Sequence, residues 1–210
     1  MSDLSIAVVD ARAAPYAAVP TLLFRLALTE TSGDPVHAVA LRAQIQIEPQ
    51  RRRYDGEEEA RLVELFGERT QWADSLRPFL WTHATAMLTG FSGSTEADLP
   101  VTCSYDFEVA AHKYLHSLGD GEIPLNLLFS GTVFARRDSV VMVQPVPWHV
   151  EAHYRLPVSV WRDLMDLYFP NSGWIRLRCE TIDSLTRYKA ERAIASWDDA
   201  FERLLKEAGS

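Results

Sequence analysis

Apolar and polar residues alternate along much of this chain, a pattern typical of strands in a sheet with one buried face. In residues 39–48, apolar side chains occupy one face of the predicted strand, and Arg, Gln and Glu side chains occupy the other. Similar alternation, or a short apolar run, predicts further strands at residues 4–9, 22–28, 79–88, 101–109, 125–133, 140–143 and 148–154. The sequence therefore predicts about eight strands.

Turn residues connect several of these predicted strands into hairpins. Residues 31–35, Thr-Ser-Gly-Asp-Pro, have the chemistry of a turn between the second and third strands. Residues 136–139, Arg-Arg-Asp-Ser, turn the chain into the apolar run that follows. Residues 91–95 are small and polar, and we expect a loop there because no helical pattern follows them. The hairpins indicate antiparallel pairing.

Helical periodicity is confined to two parts of the chain. Glutamates come just before an apolar stripe in residues 58–66, and Gly67 can end the helix predicted there. Beyond Pro157 the apolar spacing becomes helical, and Ser196 with Asp199 resembles a capping box at the start of a last helix.

Strands first and helices last predict an α+β fold. We expect a mostly antiparallel, β-sandwich-like sheet with helices at the C-terminal end. No internal repeat or low-complexity linker divides the sequence, so we expect a single domain over residues 1–210, β-rich in 1–156 and helical in 157–210.

Charge and composition narrow the functional classes. The formal net charge of −8 and a pI near 5.2 disfavour nucleic acid as a partner. The basic run at residues 51–53 is followed closely by three glutamates, so we interpret it as a solvated loop. No secretory signal and no membrane-spanning apolar run are present, so we expect a cytoplasmic protein without membrane insertion. Cys103 and Cys179 are expected to be reduced thiols.

No catalytic motif is recognisable. Gly-x-Ser-x-Gly, Ser-x-x-Lys and the glycine-rich phosphate loops are all missing from the sequence. We therefore expect no cofactor and no assigned catalytic residue, and a non-enzymatic role is favoured.

The strongest candidate for a metal site is the pattern His149-x-Glu151-x-His153. Alternate residues of a strand point to the same side, so two imidazoles and a carboxylate could bind one ion, with His112 or His116 as additional ligands. The alternative is that these residues form the solvated face of a strand. A metal-binding protein or metal-dependent enzyme is therefore the second functional hypothesis. A small-ligand carrier, which requires an apolar cavity, is the third.

Two tryptophans are candidates for partner contacts. Trp81 and Trp148 lie near predicted sheet edges, and tryptophan is enriched among the residues that dominate binding at protein interfaces. The alternative is that tryptophans pack in the core.

The C-terminal third carries a family resemblance. Its motifs are Val146-Pro147-Trp148-His149-Val150, Leu156-Pro157-Val158, Tyr168-Phe169-Pro170-Asn171-Ser172-Gly173-Trp174, Tyr188-Lys189 and Ser196-Trp197-Asp198. With them the chain resembles an uncharacterised actinobacterial family of unknown function, whose members are encoded beside [NiFe]-hydrogenase structural and maturation genes. The resemblance implies a non-enzymatic accessory or assembly protein whose partner is a hydrogenase or maturation subunit. It implies no site residues.

Overall fold

The computed structural model describes residues 3–103, 109–137, 140–170 and 176–209. Contacts divide the chain into two compact units, residues 1–174 and 175–210. The first unit contains all eight strands of the described residues, and the second contains two helices. A single domain over residues 1–210 stays a prediction.

A three-stranded antiparallel sheet forms one layer of the first unit. Its strands are β1 (Leu4–Ala13), β2 (Thr21–Glu30) and β5 (Ser94–Thr102), in the order β1-β2-β5. The central strand β2 buries Leu22, Phe24, Leu26 and Leu28 completely, as its alternation predicts.

A five-stranded antiparallel sheet forms the other layer. Its strands are β3 (Val36–Ile47), β4 (Phe79–Phe91), β6 (Glu122–Arg137), β7 (Val140–Pro145) and β8 (Glu151–Pro157). The long strand β6 pairs with β3 on one side. On its other side, the first half of β6 pairs with β8 and the second half with β7.

The two sheets pack face to face around a common core. The Phe24 ring of β2 contacts Trp81 of β4 and Tyr154 of β8, with ring centroids 6.4 Å and 6.0 Å apart and edge-to-face geometry. Cα atoms of β4 approach those of β5 within 8 Å, as those of β1 approach β8, so the layers also meet along both sides. The predicted α+β class and antiparallel, sandwich-like sheet are confirmed.

Helices of the first unit are α1 (Gly56–Phe66), α2 (Trp72–Ser75), α3 (Ala110–Ser117) and α4 (Val158–Tyr168). Helix α1 confirms the helix predicted at residues 58–66. Asp55 Oδ1 accepts hydrogen bonds from the backbone N–H of Glu57 and Glu58, and the Glu58 carboxylate accepts one from Asp55 N–H. This reciprocal capping box fixes where the helix begins.

Three strand and loop predictions differ from the structure. The strand predicted at residues 101–109 has the wrong bounds. Strand β5 ends at Thr102, and Val109 is the N-cap residue of helix α3. Residues 104–108 of that prediction lie outside the described residues. The loop predicted at residues 91–95 shrinks to a tight turn, in which Gly93 has a φ of +71° and Ser94 already belongs to β5. Strand β8 begins at Glu151 rather than at Trp148.

The second unit contains α5 (Cys179–Glu191) and α6 (Trp197–Glu207). Ser196 Oγ accepts a hydrogen bond of 3.0 Å from Asp199 N–H at the start of α6, as the sequence predicts. Among the described residues, no helix has the length and apolar character needed to cross a membrane.

Candidate functional site

Strand β7 has an open edge in the described part of the chain, because β6 is the one strand with which it pairs. Its register places Phe134 opposite Val143 and Arg136 opposite Val141. Just beyond the strand, Val146 N–H donates to Gly131 C=O at 3.0 Å. Alternate residues of an antiparallel strand direct their backbone groups to the same neighbour, so this bond shows which residues of β7 face β6. The backbone groups of Met142 and Gln144 therefore face β6, and those of Val141 and Val143 face the open edge.

The side chains of β7 are uncharged and largely exposed. Val140, Val141 and Val143 are 63%, 54% and 64% exposed. Val141 and Val143 lie on the outer face of the sheet with Phe134, which is itself partly exposed. Edge strands of soluble proteins are commonly protected by charge, by proline or by a bulge. Pro145 ends β7, but its valines carry no such protection.

Trp148 lies in the turn that follows β7. Its side chain is 94% exposed, and its ring contacts that of His149 edge to face, with centroids 5.7 Å apart. Val150 N–H donates to Pro147 C=O at 3.1 Å and closes the turn. We define the β7 edge surface as Val140, Val141, Val143 and Trp148.

Trp81, the other tryptophan predicted as a partner contact, is buried. It is 9% exposed and packs against Phe24 in the core between the sheets. The structure thus separates the two predicted rings, one inside the core and one at the surface. A role of either ring in partner binding stays a prediction.

The residues predicted as metal ligands are not brought together. His153 Nδ1 lies 3.4 Å from Glu48 Oε2 and 3.2 Å from the Arg51 guanidinium. Glu151 instead accepts a hydrogen bond of 3.5 Å from Asn126, and His149 lies in the turn before β8. Among the described residues, no group of three or more His, Cys, Asp or Glu side chains has a geometry that could hold a metal.

The two additional candidates, His112 and His116, lie on helix α3, whereas Glu151 and His153 lie on strand β8. His112 is buried at 4% exposure, whereas the side chain of His116 reaches the surface while part of its ring stays covered. Partial burial lowers the pKa of His116, and the nearby Arg61 guanidinium lowers it further. Metal binding by any of these histidines stays a prediction that elemental analysis can test.

Two adjoining polar grooves surround the basic run at residues 51–53. One, of about 610 Å³, is lined by Glu48, Arg51, His153 and Arg155 among others. The other, of about 680 Å³, adds Arg52, Glu58 and Glu122. Charged side chains recur in the lining of both grooves, whereas a small-molecule site usually has only a few polar groups, so these grooves give the carrier hypothesis no support.

Arg52 departs from the solvated loop predicted for residues 51–53. Its side chain is 8% exposed and forms an ion pair with Glu58, whose side chain is 3% exposed. Arg52 also donates to the carbonyl groups of Asp120 and Glu122, and Gly119 N–H donates to Glu58 at 2.7 Å. The pair therefore joins α1 to the segment before β6, a structural role.

Comparisons with known proteins place the sequence in context. Residues 1–210 match the model of a family described as a family of unknown function (DUF6084). No curated protein matches the chain. Solved structures similar to it include a CARDB domain from Pyrococcus furiosus in complex with di-metal ions, at 10% identity and a TM-score of 0.26 over 74% of this chain and 87% of that one. A β-glucosidase from Kluyveromyces marxianus matches at 8% identity and a TM-score of 0.25, over 73% of this chain and 15% of that one.

Proposed function

We propose that this chain, which belongs to the family of unknown function DUF6084, is a non-enzymatic accessory protein that binds a protein partner at the β7 edge surface. The observation that supports the proposal is the open edge of β7, where the backbone groups of the exposed residues Val141 and Val143 face no strand of the described residues.

The occupant that fits this edge is an extended segment of the partner. Such a segment can add a strand to the sheet, exchanging N–H···O=C bonds with Val141 and Val143. Main-chain bonds supply affinity in this mode, and side-chain pockets supply selectivity. β-branched or aromatic residues in the added strand would pair favourably with the two valines on the outer face. Trp148 provides an exposed aromatic anchor beside the strand.

The proposal names a [NiFe]-hydrogenase structural or maturation subunit as the partner. This finer part rests on the resemblance to an actinobacterial family encoded beside hydrogenase genes. The identity of the partner and the position of the binding site are separate claims, because the β7 edge surface could bind a partner from another system.

The test combines affinity purification with a backbone substitution. Val143→Pro removes one N–H that faces the open edge but breaks no hydrogen bond to β6, so the fold tolerates it as edge strands tolerate proline. The matched control is Val143→Thr, which keeps the β-branched shape and the N–H. Each tagged variant is expressed in the native host under hydrogen-oxidising conditions.

We expect the wild-type protein and Val143→Thr to recover the same hydrogenase or maturation subunit, and Val143→Pro to lose at least about 90% of it, because one lost main-chain bond of about 1.5 kcal/mol weakens binding roughly tenfold. Equal recovery by Val143→Pro would remove the β7 edge surface as the site. Edge-dependent recovery of some other partner would remove the hydrogenase assignment and leave the site intact.

A further inference from the structure

The outer faces of the two sheets differ in charge. On the three-stranded sheet, Arg12 and Arg25 both pair with Asp98, with N–O distances of 2.6 Å and 2.9 Å. Glu96 lies 3.7 Å from Arg25 on the same face. Charged side chains of this kind are typical of an antiparallel sheet face in contact with water. The outer face of the three-stranded sheet is therefore suited to solvent.

The outer face of the five-stranded sheet is uncharged over two adjacent rows of residues. The strand register places Met87, Ala40 and Thr132 in one row, and Ala38, Phe134 and Val143 in the next. We define these six residues as the outer patch. They point away from the core, because residues that alternate with them along the strands, such as Leu41 and Val133, are buried.

The outer patch is open to solvent and has a shallow trough along β3. Met87 and Val143 are 71% and 64% exposed, and the other four residues are partly exposed. The small residues Ala38 and Ala40 lie on β3, whereas the larger Met87 and Phe134 lie on the strands to either side. A contiguous exposed apolar surface commonly marks an interaction site.

One charged side chain adjoins the outer patch. Arg42 is exposed on β3, two residues beyond Ala40, and its cross-strand neighbours Thr85 and Ser130 are uncharged. No carboxylate lies in the outer patch or opposite Arg42. A molecule that covers this face must therefore bring its own carboxylate, because a covered guanidinium without a counter-charge is costly.

We propose that the outer patch binds an amphipathic helix of the protein partner, which carries an Asp or Glu that pairs with Arg42. The two rows of the outer patch and the row of Arg42 span about 20 Å along the strands, the length of a helix of about 13 residues. Apolar residues at helical spacing would contact the trough along β3. A second copy of this chain fits less well, because its own outer patch brings no carboxylate to Arg42.

The inference rests on the proposed function for the identity of the partner, because Val143 belongs to both the outer patch and the β7 edge surface. The first test is photo-cross-linking in the native host under hydrogen-oxidising conditions. The cross-linking residue p-benzoylphenylalanine replaces Met87. In the matched control it replaces Thr29, an exposed residue of β2 on the outer face of the three-stranded sheet. Mass spectrometry then identifies the cross-linked segment.

We expect the Met87 position to cross-link one segment of a partner protein, and the Thr29 position to leave that segment uncross-linked. The segment should have apolar residues at helical spacing and at least one Asp or Glu beside them. The partner that contains it is then purified, and its affinity for the full-length chain is measured.

Substitutions of Arg42 test the charge pair. Arg42→Glu reverses the charge of an exposed residue and should weaken binding at least about tenfold, whereas Arg42→Lys keeps the charge and should stay within about threefold of the wild type. Replacing the partner's carboxylate residue by Lys should restore binding to Arg42→Glu. Thermal denaturation of both variants checks that they fold as the wild type does.

Four outcomes would overturn the proposal. They are no cross-link from the Met87 position above the Thr29 control, a cross-link within this chain or to a second copy, a segment without helical apolar spacing or a carboxylate, and equal binding by Arg42→Glu. The two proposals fail separately. If Val143→Pro binds equally well but the Met87 cross-link depends on Arg42, only the β7 edge surface is removed. If Val143→Pro loses the partner and Met87 gives no cross-link, only the outer patch is removed.

Discussion

The hydroxyl oxygen of Tyr54 lies 2.8 Å from that of Tyr114, and the Tyr54 hydroxyl also donates to the Pro49 carbonyl oxygen at 2.8 Å. Because the one hydrogen of the Tyr54 hydroxyl goes to Pro49, the buried Tyr114 hydroxyl donates its hydrogen to Tyr54, and the bonds form a short chain from α3 to the segment before α1. The Tyr114 hydroxyl has Tyr54 as its acceptor, whereas the Tyr54 hydroxyl has the Pro49 carbonyl oxygen as its acceptor.

Removing the acceptor should cost more than removing the donor. In Tyr54→Phe, the buried Tyr114 hydroxyl loses its acceptor, and we expect a loss of about 1–3 kcal/mol in the free energy of unfolding. In Tyr114→Phe, Tyr54 keeps its bond to Pro49, and we expect about 1 kcal/mol. Urea denaturation measures both values, and the reverse order would contradict the assigned direction of donation.

The buried pair of Arg52 and Glu58 should be sensitive to loss of one partner. Glu58→Ala leaves the Arg52 charge buried and removes the acceptor of Gly119 N–H, so we expect a loss of about 3–5 kcal/mol. Replacing both residues, by Arg52→Met with Glu58→Leu, should cost less than Glu58→Ala alone, because no charge is left uncompensated. The control Glu57→Gln should stay within about 0.5 kcal/mol. A double variant less stable than Glu58→Ala would show that the pair itself stabilises the fold.

The two cysteines should differ in reactivity. Cys103 is 1% exposed, and burial raises the pKa of its thiol to about 12, whereas Cys179 is exposed. A thiol reagent such as DTNB at pH 8 should therefore titrate one thiol per native chain and two per chain unfolded in guanidinium chloride. Rapid reaction of two thiols in the native protein would contradict the burial of Cys103.

Burial of the same thiol predicts loss of stability in alkali. The folded chain holds the Cys103 proton up to a pKa of about 12, whereas the unfolded chain releases it above about pH 9. Between these values the unfolded state binds fewer protons, so the free energy of unfolding falls as pH rises, by up to about 1.4 kcal/mol per pH unit from this group.

Tyr54 adds a further decrease in the free energy of unfolding above about pH 10, because burial raises the pKa of its hydroxyl from 10.0 to about 12. The substitution Cys103→Ala should remove the part of the slope that begins near pH 9, while Cys179→Ala should leave it unchanged. Urea denaturation at several pH values between about pH 8 and pH 11 measures how the free energy of unfolding depends on pH, in the window that these pKa values define. An equal slope in wild type and Cys103→Ala would contradict the prediction.

Hydrophobic periodicity was sufficient to predict most of the fold. Strand β3 confirms the alternation of residues 39–48, because each of its apolar residues from Val39 to Ile47 on one face is buried against the other sheet. The failure at residues 101–109 has a local cause. Apolar residues recur at alternate positions there, but the chain leaves β5 after Thr102, and Val109 becomes the cap of α3.

The sites were less accessible to sequence reasoning. The exposure of Trp148 and the burial of Trp81 depend on which strands lie above each ring, and residue type does not specify this. The apolar run at 140–143 did indicate β7, but its open edge depends on the pairing of β6.

The most direct test of the β7 edge surface is amide hydrogen exchange by NMR, with and without the partner recovered by affinity purification. In the free protein, the amides of Met142 and Gln144 should exchange slowly because they donate to β6, and those of Val141 and Val143 should exchange fast. When the partner binds, Val141 and Val143 should become protected by at least about tenfold, since an added strand accepts their hydrogens. Unchanged fast exchange of both amides in the complex would contradict strand addition at this edge.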